Sequence, residues 1–545
     1  MRRLKGTGVG LLLAAVAGCA DQLLVENANA PDRARVEARP SEIEVLVASY
    51  FRVIHNTTMG TNESLLPQLA VMGMESYSSN ANFGMNVRGS YPRSGINNNR
   101  GNATATSVYS PFTELHQAAR AGALALSKLN DPNFVFSTGN AQKQRARAFA
   151  FFLIGVGLGN VALAYDSGSV IGPGDLTGAA DPALPLVDYN ALMQYALANL
   201  DSAIAIATGP VPTGTSWFPL PSTWINGQAL TAAQFAQLAN SYQARFRAGV
   251  ARTPAERAAV DWNAVIADAT AGITADFTIT MSNVTGGWFY RPMQMDLYQS
   301  WHQMWSFIVG MADTSGAYDA WLAVPQVNRL PFLVITSDLR FPGGTTRAAQ
   351  NTASGCGAST CSPPSANQFF RNRPAGVDVA VQGIAYSYYD FHRFQAYYST
   401  SPIRNGPLPF FPLAELNLLR AEGQLQLGNN NAAITLINIS RVLRGLPAIP
   451  AGSTTVPGTA CVPRVPVGPA FTSTACGSIM EAMKWEKRLE TAYLSWGGWY
   501  FDGRGWGDLP QNTPLHYPVP YQELDAREQV IYTVTTGAAV GTYGL

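Results

Sequence analysis

PLAELNLLRAEGQLQLGNNNAAITLINISRVLRGLP, residues 412–447, is the segment on which the fold turns. Two apolar periodic runs, about 412–427 and 430–444, flank Gly428 and three asparagines, so the segment reads as a helical hairpin. Ala421, Gly428, Ala433 and Ile437 stand where a tetratricopeptide-type unit needs small residues at the helix crossing, a turn glycine and an apolar knob on the second helix. Such a hairpin cannot bury its apolar face alone and must stack on others.

Helical patterns run on either side of it. Ser41 is placed to cap a helix carrying Ile43, Leu46, Val47, Tyr50 and Phe51 on one stripe. Residues 111–129 begin with Pro111 near a first turn and stop at Asn130-Asp131-Pro132. The charge-free run from Phe149 to Tyr165 is too short to span a bilayer, which takes about 20 residues. Its Gly155, Gly157 and Gly159 fit a buried helix crossed closely by neighbours rather than a phosphate loop. Further helices are predicted at about 188–207, 231–251, 261–273 and 477–496, and the pairs at 111–166 and 188–251 are candidates to stack with the late hairpin. Residues 276–410 are rich in aromatics, Pro, Gly and Ser and carry few periodic runs. The predicted fold is mainly α: tetratricopeptide-like helices at about 111–273 and 411–497, with a loop-rich insertion at about 276–410.

The N-terminus points to export. Arg2, Arg3 and Lys5 precede an uncharged stretch, Gly6 to Ala17, which marks residues 1–18 as a signal peptide. Val16-Ala17-Gly18-Cys19 resembles a bacterial lipobox, which would make Cys19 the acylated start of a tethered mature chain. Acyl chains anchor with about 0.8 kcal/mol per buried methylene. Residues 19–40 are polar, carry Pro31 and Pro40, and read as the tether; 41–545 form the remaining domain. Cys356 with Cys361 and Cys461 with Cys476 make two local pairs, expected to be disulfides in an exported protein. Metal ligation is the alternative, although both pairs lie in Ser/Thr/Pro/Gly-rich loops with no histidine near them.

Composition narrows the function. Only 13% of the 545 residues are charged and the net charge is +1, where soluble domains carry about 25%. A grip on nucleic acid needs clustered Lys and Arg that this chain lacks beyond its N-terminus. His55, His116, His302, His392 and His516 are scattered without metal-ligand spacing, and there is no Gly-x-Ser-x-Gly elbow. Hydrophobic residues at 47% supply a large core, and a weakly charged surface of Asn, Ser, Thr, Gly and aromatics suits uncharged ligands.

Three segments together resemble the SusD/RagB family of nutrient-binding outer-membrane lipoproteins. The mature start, Cys19-Ala-Asp-Gln-Leu-Leu-Val-Glu-Asn-Ala-Asn-Ala-Pro31, is similar to the family's lipid cysteine followed by Asn-Pro-Asn, with Ala28 in place of proline. The hairpin above resembles the family's late repeat. Trp485-Glu486-Lys487-Arg488-Leu489-Glu490 followed by Trp499-Tyr500-Phe501-Asp502-Gly503-Arg504-Gly505-Trp506-Gly507-Asp508-Leu509 resembles its C-terminal signature, with Lys487, Thr491 and Trp499 as departures. Pro518-Val-Pro520-Tyr-Gln-Glu523-Leu524 is similar to the family's end, so the resemblance covers roughly residues 19–525 apart from the insertion. It implies a SusD-like helical body, a TonB-dependent, SusC-like outer-membrane transporter as partner, and an oligosaccharide or peptide nutrient as ligand. It also implies a lipid-anchored place at the cell surface, and neither catalytic residues nor a cofactor. A tethered helical-repeat scaffold that binds only proteins is the alternative.

A sugar site needs flat apolar faces beside amides, hydroxyls and a few charges. Residues 74–102 and 286–305, with Trp321 just beyond, offer these, and the resemblance places glycan-binding loops in the same two regions. The candidate ligand residues are Tyr77, Arg88, Tyr91, Trp288, Tyr290 and Trp321; Tyr298, Trp301 and Trp305 share a helical stripe and are assigned to the core. Glu486, Arg488, Glu490, Asp502 and Arg504 are expected to pair around Trp485, Trp499, Tyr500 and Trp506. Asp502→Ala should then cost stability and leave affinity nearly unchanged.

Overall fold

The computed structural model describes residues 39–545 apart from 61–64, 79–83, 103, 137–139, 177–183, 211–217, 285, 291–301, 355–366, 374–386, 400–404 and 536. The expected signal peptide, Cys19, the expected tether up to residue 38, Cys356, Cys361, Tyr298 and Trp301 therefore lie outside the described residues.

Ten helices make the body: α1 (Pro40–His55), α2 (Thr106–Leu129), α3 (Asn140–Ala164), α4 (Tyr189–Thr208), α5 (Ala232–Gly249), α6 (Trp262–Ala271), α7 (Leu413–Gln426), α8 (Asn430–Leu443), α9 (Ile479–Thr491) and α10 (Gly498–Trp506). Local chemistry sets several starts. The Asp188 carboxylate accepts the N–H groups of Asn190 and Ala191 at the head of α4, Thr231 and Gln234 close a capping box on α5, and Asp261 accepts from Ala264 on α6. Two expected starts move. Pro40 opens α1 and Ser41 lies inside it without capping, while α2 begins at Thr106, leaving Pro111 within the helix rather than in its first turn. The helix expected at 477–496 stops at Thr491, because Tyr493 turns to a positive φ of 59°.

The helices stack in chain order, α2 on α3, α3 on α4, α4 on α5, α5 on α6, and α6 on α7, which pairs with α8. This is the array that the late hairpin requires: Ala421, Ala433 and Ile437 are fully buried at the crossing, and Gly428 turns at φ 79°. At the centre lies α3, nine-tenths buried over its apolar window. Its glycines let three different helices approach: a Cβ at Gly155 would meet the α4 Leu200 side chain at 2.6 Å, at Gly157 the α2 Leu115 carbonyl at 2.8 Å, and at Gly159 the Phe246 ring of α5. The apolar run is thus spent on packing against protein, which removes any need for lipid.

Among the described residues eight short strands form four antiparallel pairs: β1 (Ser167–Ser169) with β2 (Leu186–Asp188), β3 (Phe277–Met281) with β6 (Gly406–Phe411), β4 (Phe370–Asn372) with β5 (Tyr389–Phe391), and β7 (Arg464–Val467) with β8 (Ser473–Cys476). The β3–β6 pair runs from Phe277↔Phe411 to Met281↔Gly406 and clasps the two ends of the loop-rich insertion onto the body. Inside that insertion β4 and β5 carry Arg371 and Asp390, which face each other at 2.6 Å. Cys461 and Cys476 are bonded, with Cα atoms 5.6 Å apart, and hold the β7–β8 hairpin against α9.

The C-terminal segment is pinned by buried ion pairs, yet not in the expected combination. Glu486 meets Arg340 at 2.9 Å, Glu490 meets Arg444 at 2.8 Å, Arg488 meets Asp508 at 2.5 Å, and Asp502 meets Lys487 at 2.9 Å and Arg257 at 3.0 Å. Among the described residues Arg504 forms no ion pair with a carboxylate and donates to the Leu515 and Gly249 carbonyls. The signature residues thus tie the end of the chain together through Arg488–Asp508 and Lys487–Asp502, and staple it to distant elements through Arg340, Arg444 and Arg257.

Candidate functional site

Tyr77, Arg88, Tyr91 and Trp321 come together where the segment after residue 74 meets the insertion. Tyr77 and Gln303 exchange backbone hydrogen bonds at 2.7 and 3.0 Å, which ties the two chain regions across more than two hundred residues of sequence. The Tyr77 ring stands edge-on to Trp305, 5.5 Å between centroids. Trp305 is fully buried and donates to the Ser76 carbonyl at 2.9 Å, in keeping with its assignment to the core. The Arg93 guanidinium lies 5.2 Å from the Trp305 ring centre and donates to the carbonyls of Arg88 and Val71. Arg88, on the short helix Met85–Gly89, donates to Ser94 and Gly95 carbonyls at 3.2 and 3.0 Å. Burial pushes the Arg93 pKa down to about 9 and lowers that of Arg88. Tyr91 remains 37% exposed, and its hydroxyl is within electrostatic reach of both Arg93 and Arg329.

The opposite wall belongs to the insertion. Trp321 sits on the short helix Ala317–Leu322, stacked on Tyr318 at 5.9 Å and tilted against Phe332 at 5.7 Å. Arg329 covers the ring at 4.4 Å and is held by the Leu322 and Val324 carbonyls, each at 2.9 Å. Val327 and Leu330 flank it at 87% and 75% exposure. Arg329 thus covers the ring layer of Trp321, Tyr318 and Phe332, with the exposed Tyr91 within electrostatic reach of it, and the two make the rim of the site. Arg329 and Phe332 escaped the sequence reading; the only signal was an arginine shortly after a tryptophan in a loop, which is a common occurrence.

Trp288 and Tyr290 go elsewhere. Trp288 is buried between Phe51 at 6.0 Å and His55 at 5.2 Å on α1, and Tyr290 is fully buried against Phe394. Both are core residues here, a correction to their assignment as ligand contacts. Gly286-Gly287 marks a turn, but α1 folds over the residues that follow, and Arg52 and His55 bond the Gly286 and Phe289 carbonyls at 2.6 Å each. Burial pushes the His55 pKa down to about 4, so the imidazole is a neutral donor rather than a ligand or base. Trp321 is itself only 5% exposed, its outer face taken by Arg329. A separate cavity of about 390 Å³ opens between α4 and α5, lined by Met193, Leu197, Arg247 and Glu256, with none of the candidate residues among its walls. Among the described residues no three His, Cys, Asp or Glu side chains gather as a metal site.

Comparison with solved structures fixes the architecture. A SusD superfamily protein from Bacteroides fragilis superposes with a TM-score of 0.52 at 14% identity, over 91% of this chain and 99% of its own. A SusD superfamily protein from Bacteroides thetaiotaomicron does so with a TM-score of 0.51 at 12% identity, over 90% and 98%. The fold is SusD-like. A laminarin-binding SusD-like protein shares it, with a TM-score of 0.50 and 14% identity over 91% of this chain and 99% of that one. No protein-family model and no curated protein matches the sequence. The rim brings Tyr91 of the 74–102 region near Trp321, which lies just beyond the 286–305 region, while Trp288 and Tyr290 of the latter enter the core.

Proposed function

We propose that this chain is a surface lipoprotein of the SusD/RagB kind that binds an oligosaccharide without turning it over and passes it to a TonB-dependent, SusC-like transporter in the outer membrane. The observation that carries the reading is the exposed Tyr91 beside the Trp321–Phe332 ring layer on a SusD-like body. The exposed Tyr91 ring is free to stack on a sugar face, and the Arg329 guanidinium that covers Trp321 and the Tyr91 hydroxyl supply directional hydrogen bonds. The laminarin-binding neighbour supports a glycan over a peptide. Residues 1–18 would be removed, Cys19 would carry the lipid, and residues 19–40 would hold the domain off the outer leaflet. The ligand would be trapped between this protein and the outer face of the barrel, with release driven by the transporter.

Calorimetric titration with a panel of oligosaccharides and peptides tests the reading. Tyr91→Ala should weaken glycan binding at least about tenfold without moving the melting temperature, since the residue is exposed. Absence of heat with every glycan, or wild-type affinity in Tyr91→Ala, would refute it. One observation favours the alternative of a protein-binding scaffold: Ile439, Val442 and Leu443 leave an apolar stripe on the outside of α8, more than half exposed. Under that reading the protein binds a partner chain and gives no small-ligand heat.

A further inference from the structure

The ligand of the Tyr91–Trp321 rim can be narrowed by charge, an inference that rests on reading the rim as a glycan site. Arg88, Arg93 and Arg329 surround it, and none forms an ion pair with any described residue. Their hydrogen bonds go to main-chain carbonyls: Ser94 and Gly95 for Arg88, Arg88 and Val71 for Arg93, Leu322 and Val324 for Arg329. Such bonds satisfy donors and leave the positive charge uncompensated. The groups that act on the three cations electrostatically are tyrosines, Tyr77, Tyr91, Tyr318, Tyr500 and Tyr517, together with Arg88 acting on Arg93.

This is unusual for the molecule. Buried guanidiniums elsewhere face carboxylates: Arg257 meets Glu422 at 2.6 Å, Arg340 meets Asp338 at 2.7 Å, and Arg371 meets Asp390 at 2.6 Å. Arg252 and Arg504 are also held by carbonyls, but Asp166 and Glu256 lie within electrostatic reach of them. Three acids neighbour the rim residues in sequence, and none forms an ion pair with Arg88, Arg93 or Arg329 among the described residues. Asp319 accepts from Thr474 at 2.6 Å and pairs with Arg464 at 3.9 Å. Asp313 accepts from Ser315, Ile335 and Tyr318. Glu75 is buried behind Tyr77, and burial pushes its carboxyl pKa up to about 8, which keeps it uncharged at neutral pH. Two donors at the rim also lack acceptors: the Trp321 indole N–H is buried without a partner, and Nη1 of Arg329 makes no hydrogen bond with a described residue.

We propose that the Tyr91–Trp321 rim selects a carboxylate-bearing oligosaccharide, a uronate-type glycan whose acid group is received by Arg329 within the field of Arg88 and Arg93. A guanidinium fork matches a carboxylate in shape and charge, and a desolvated positive rim raises the local concentration of an anion.

The test uses the full-length protein in detergent, titrated by calorimetry with galacturonate, glucuronate and mannuronate oligosaccharides, each against its methyl ester, and with neutral glucans. The ester keeps ring shape and hydroxyls and removes only the charge. At least one acid form should bind about tenfold or more tighter than its ester, with an affinity that falls as salt rises from about 0.05 to 0.5 M. Arg329→Gln, with an unchanged melting temperature, should erase the difference between acid and ester. Equal or tighter binding of the esters, or binding of neutral glucans alone, overturns the charge selection and leaves the glycan site standing. No heat from any glycan, acidic or neutral, overturns the glycan site and the selection with it.

Discussion

Replacing Glu422 by Gln tests the claim that the C-terminal signature is structural. The Glu422 carboxylate is fully buried; it accepts from Arg257 Nε at 2.8 Å, Arg257 Nη2 at 2.6 Å and the Trp506 indole at 2.7 Å, with Lys487 at 3.7 Å. Asp502 balances the remaining charge, so Arg257 and Lys487 face Glu422 and Asp502 in a neutral quartet. Burial by itself would lower the Arg257 pKa, but the two carboxylates overcome it and raise it. Glutamine keeps the volume, turns one acceptor into a donor aimed at a guanidinium, and leaves a net positive charge in the interior. Breaking one partner of a buried pair in this way costs about 3–5 kcal/mol. Asp502→Ala should cost less, about 1–3 kcal/mol, because Asp502 is 13% exposed and its loss leaves the Arg257–Glu422 fork intact. With an unfolding entropy of about 2.1 cal/mol/K per residue, 545 residues give about 1.1 kcal/mol/K. The two variants should therefore melt lower by about 3–5 °C and about 1–3 °C. Calorimetric melting and urea titration measure both costs, and glycan titration should show affinities within twofold of wild type. A Glu422→Gln loss under about 1 kcal/mol, a larger loss in Asp502→Ala, or a fall in affinity without destabilisation would refute the reasoning.

Glu75 predicts a pH dependence. Its folded pKa of about 8 exceeds the unfolded value near 4.5, so its contribution is fully present below about pH 4.5 and is lost as pH rises toward 8, by up to about 5 kcal/mol. Glu75→Gln should gain stability relative to wild type between pH 5.5 and 9; a difference that stays constant across that range by urea titration contradicts the assignment. His55 and His116, pushed down by burial to about 4, act in the opposite sense: their contribution is present above pH 6.5 and is lost as pH falls toward 4. Changing Cys461 and Cys476 together to Ser opens a loop of sequence separation 15 and should cost about 3 kcal/mol, read as a lower urea midpoint with glycan affinity unaltered. Gly157→Ala would set a methyl 2.8 Å from the Leu115 carbonyl, forcing α2 from α3 at a cost of about 1–3 kcal/mol; a melting temperature equal to wild type would show that the crossing can relax.

Helix identity was legible because its causes are local. The 430–443 stripe, the Gly428 turn and the apolar glycine-bearing run of α3 each act through neighbours a few residues away, and all three stand in the structure. Even so, the ends of α1 and α2 moved: Pro40 outcompeted Ser41 as the opening residue, and Pro111 was tolerated inside a helix that tertiary packing extends backward. The candidate site was half legible. Polar loops with tyrosine and arginine marked the 74–102 region, yet nothing in the pattern around Trp288 distinguished a surface aromatic from one that α1 would cover.

The sequence by itself determined the helical body, the stacking hairpin, the aromatic supply and the likeness of its C-terminal segment to SusD-type chains, since periodicity, caps and turn residues act over one or two turns. Only the tertiary structure decided that Trp288 and Tyr290 enter the core while Tyr91 stays in water, that Arg340 and Arg257 answer the acids of the C-terminal segment and of α7, and that Arg88, Arg93 and Arg329 have no ion-pair partner among the described residues. Exposure and charge balance are sums over segments that may lie hundreds of residues apart, as Tyr77 and Gln303 do, and no local pattern contains that sum.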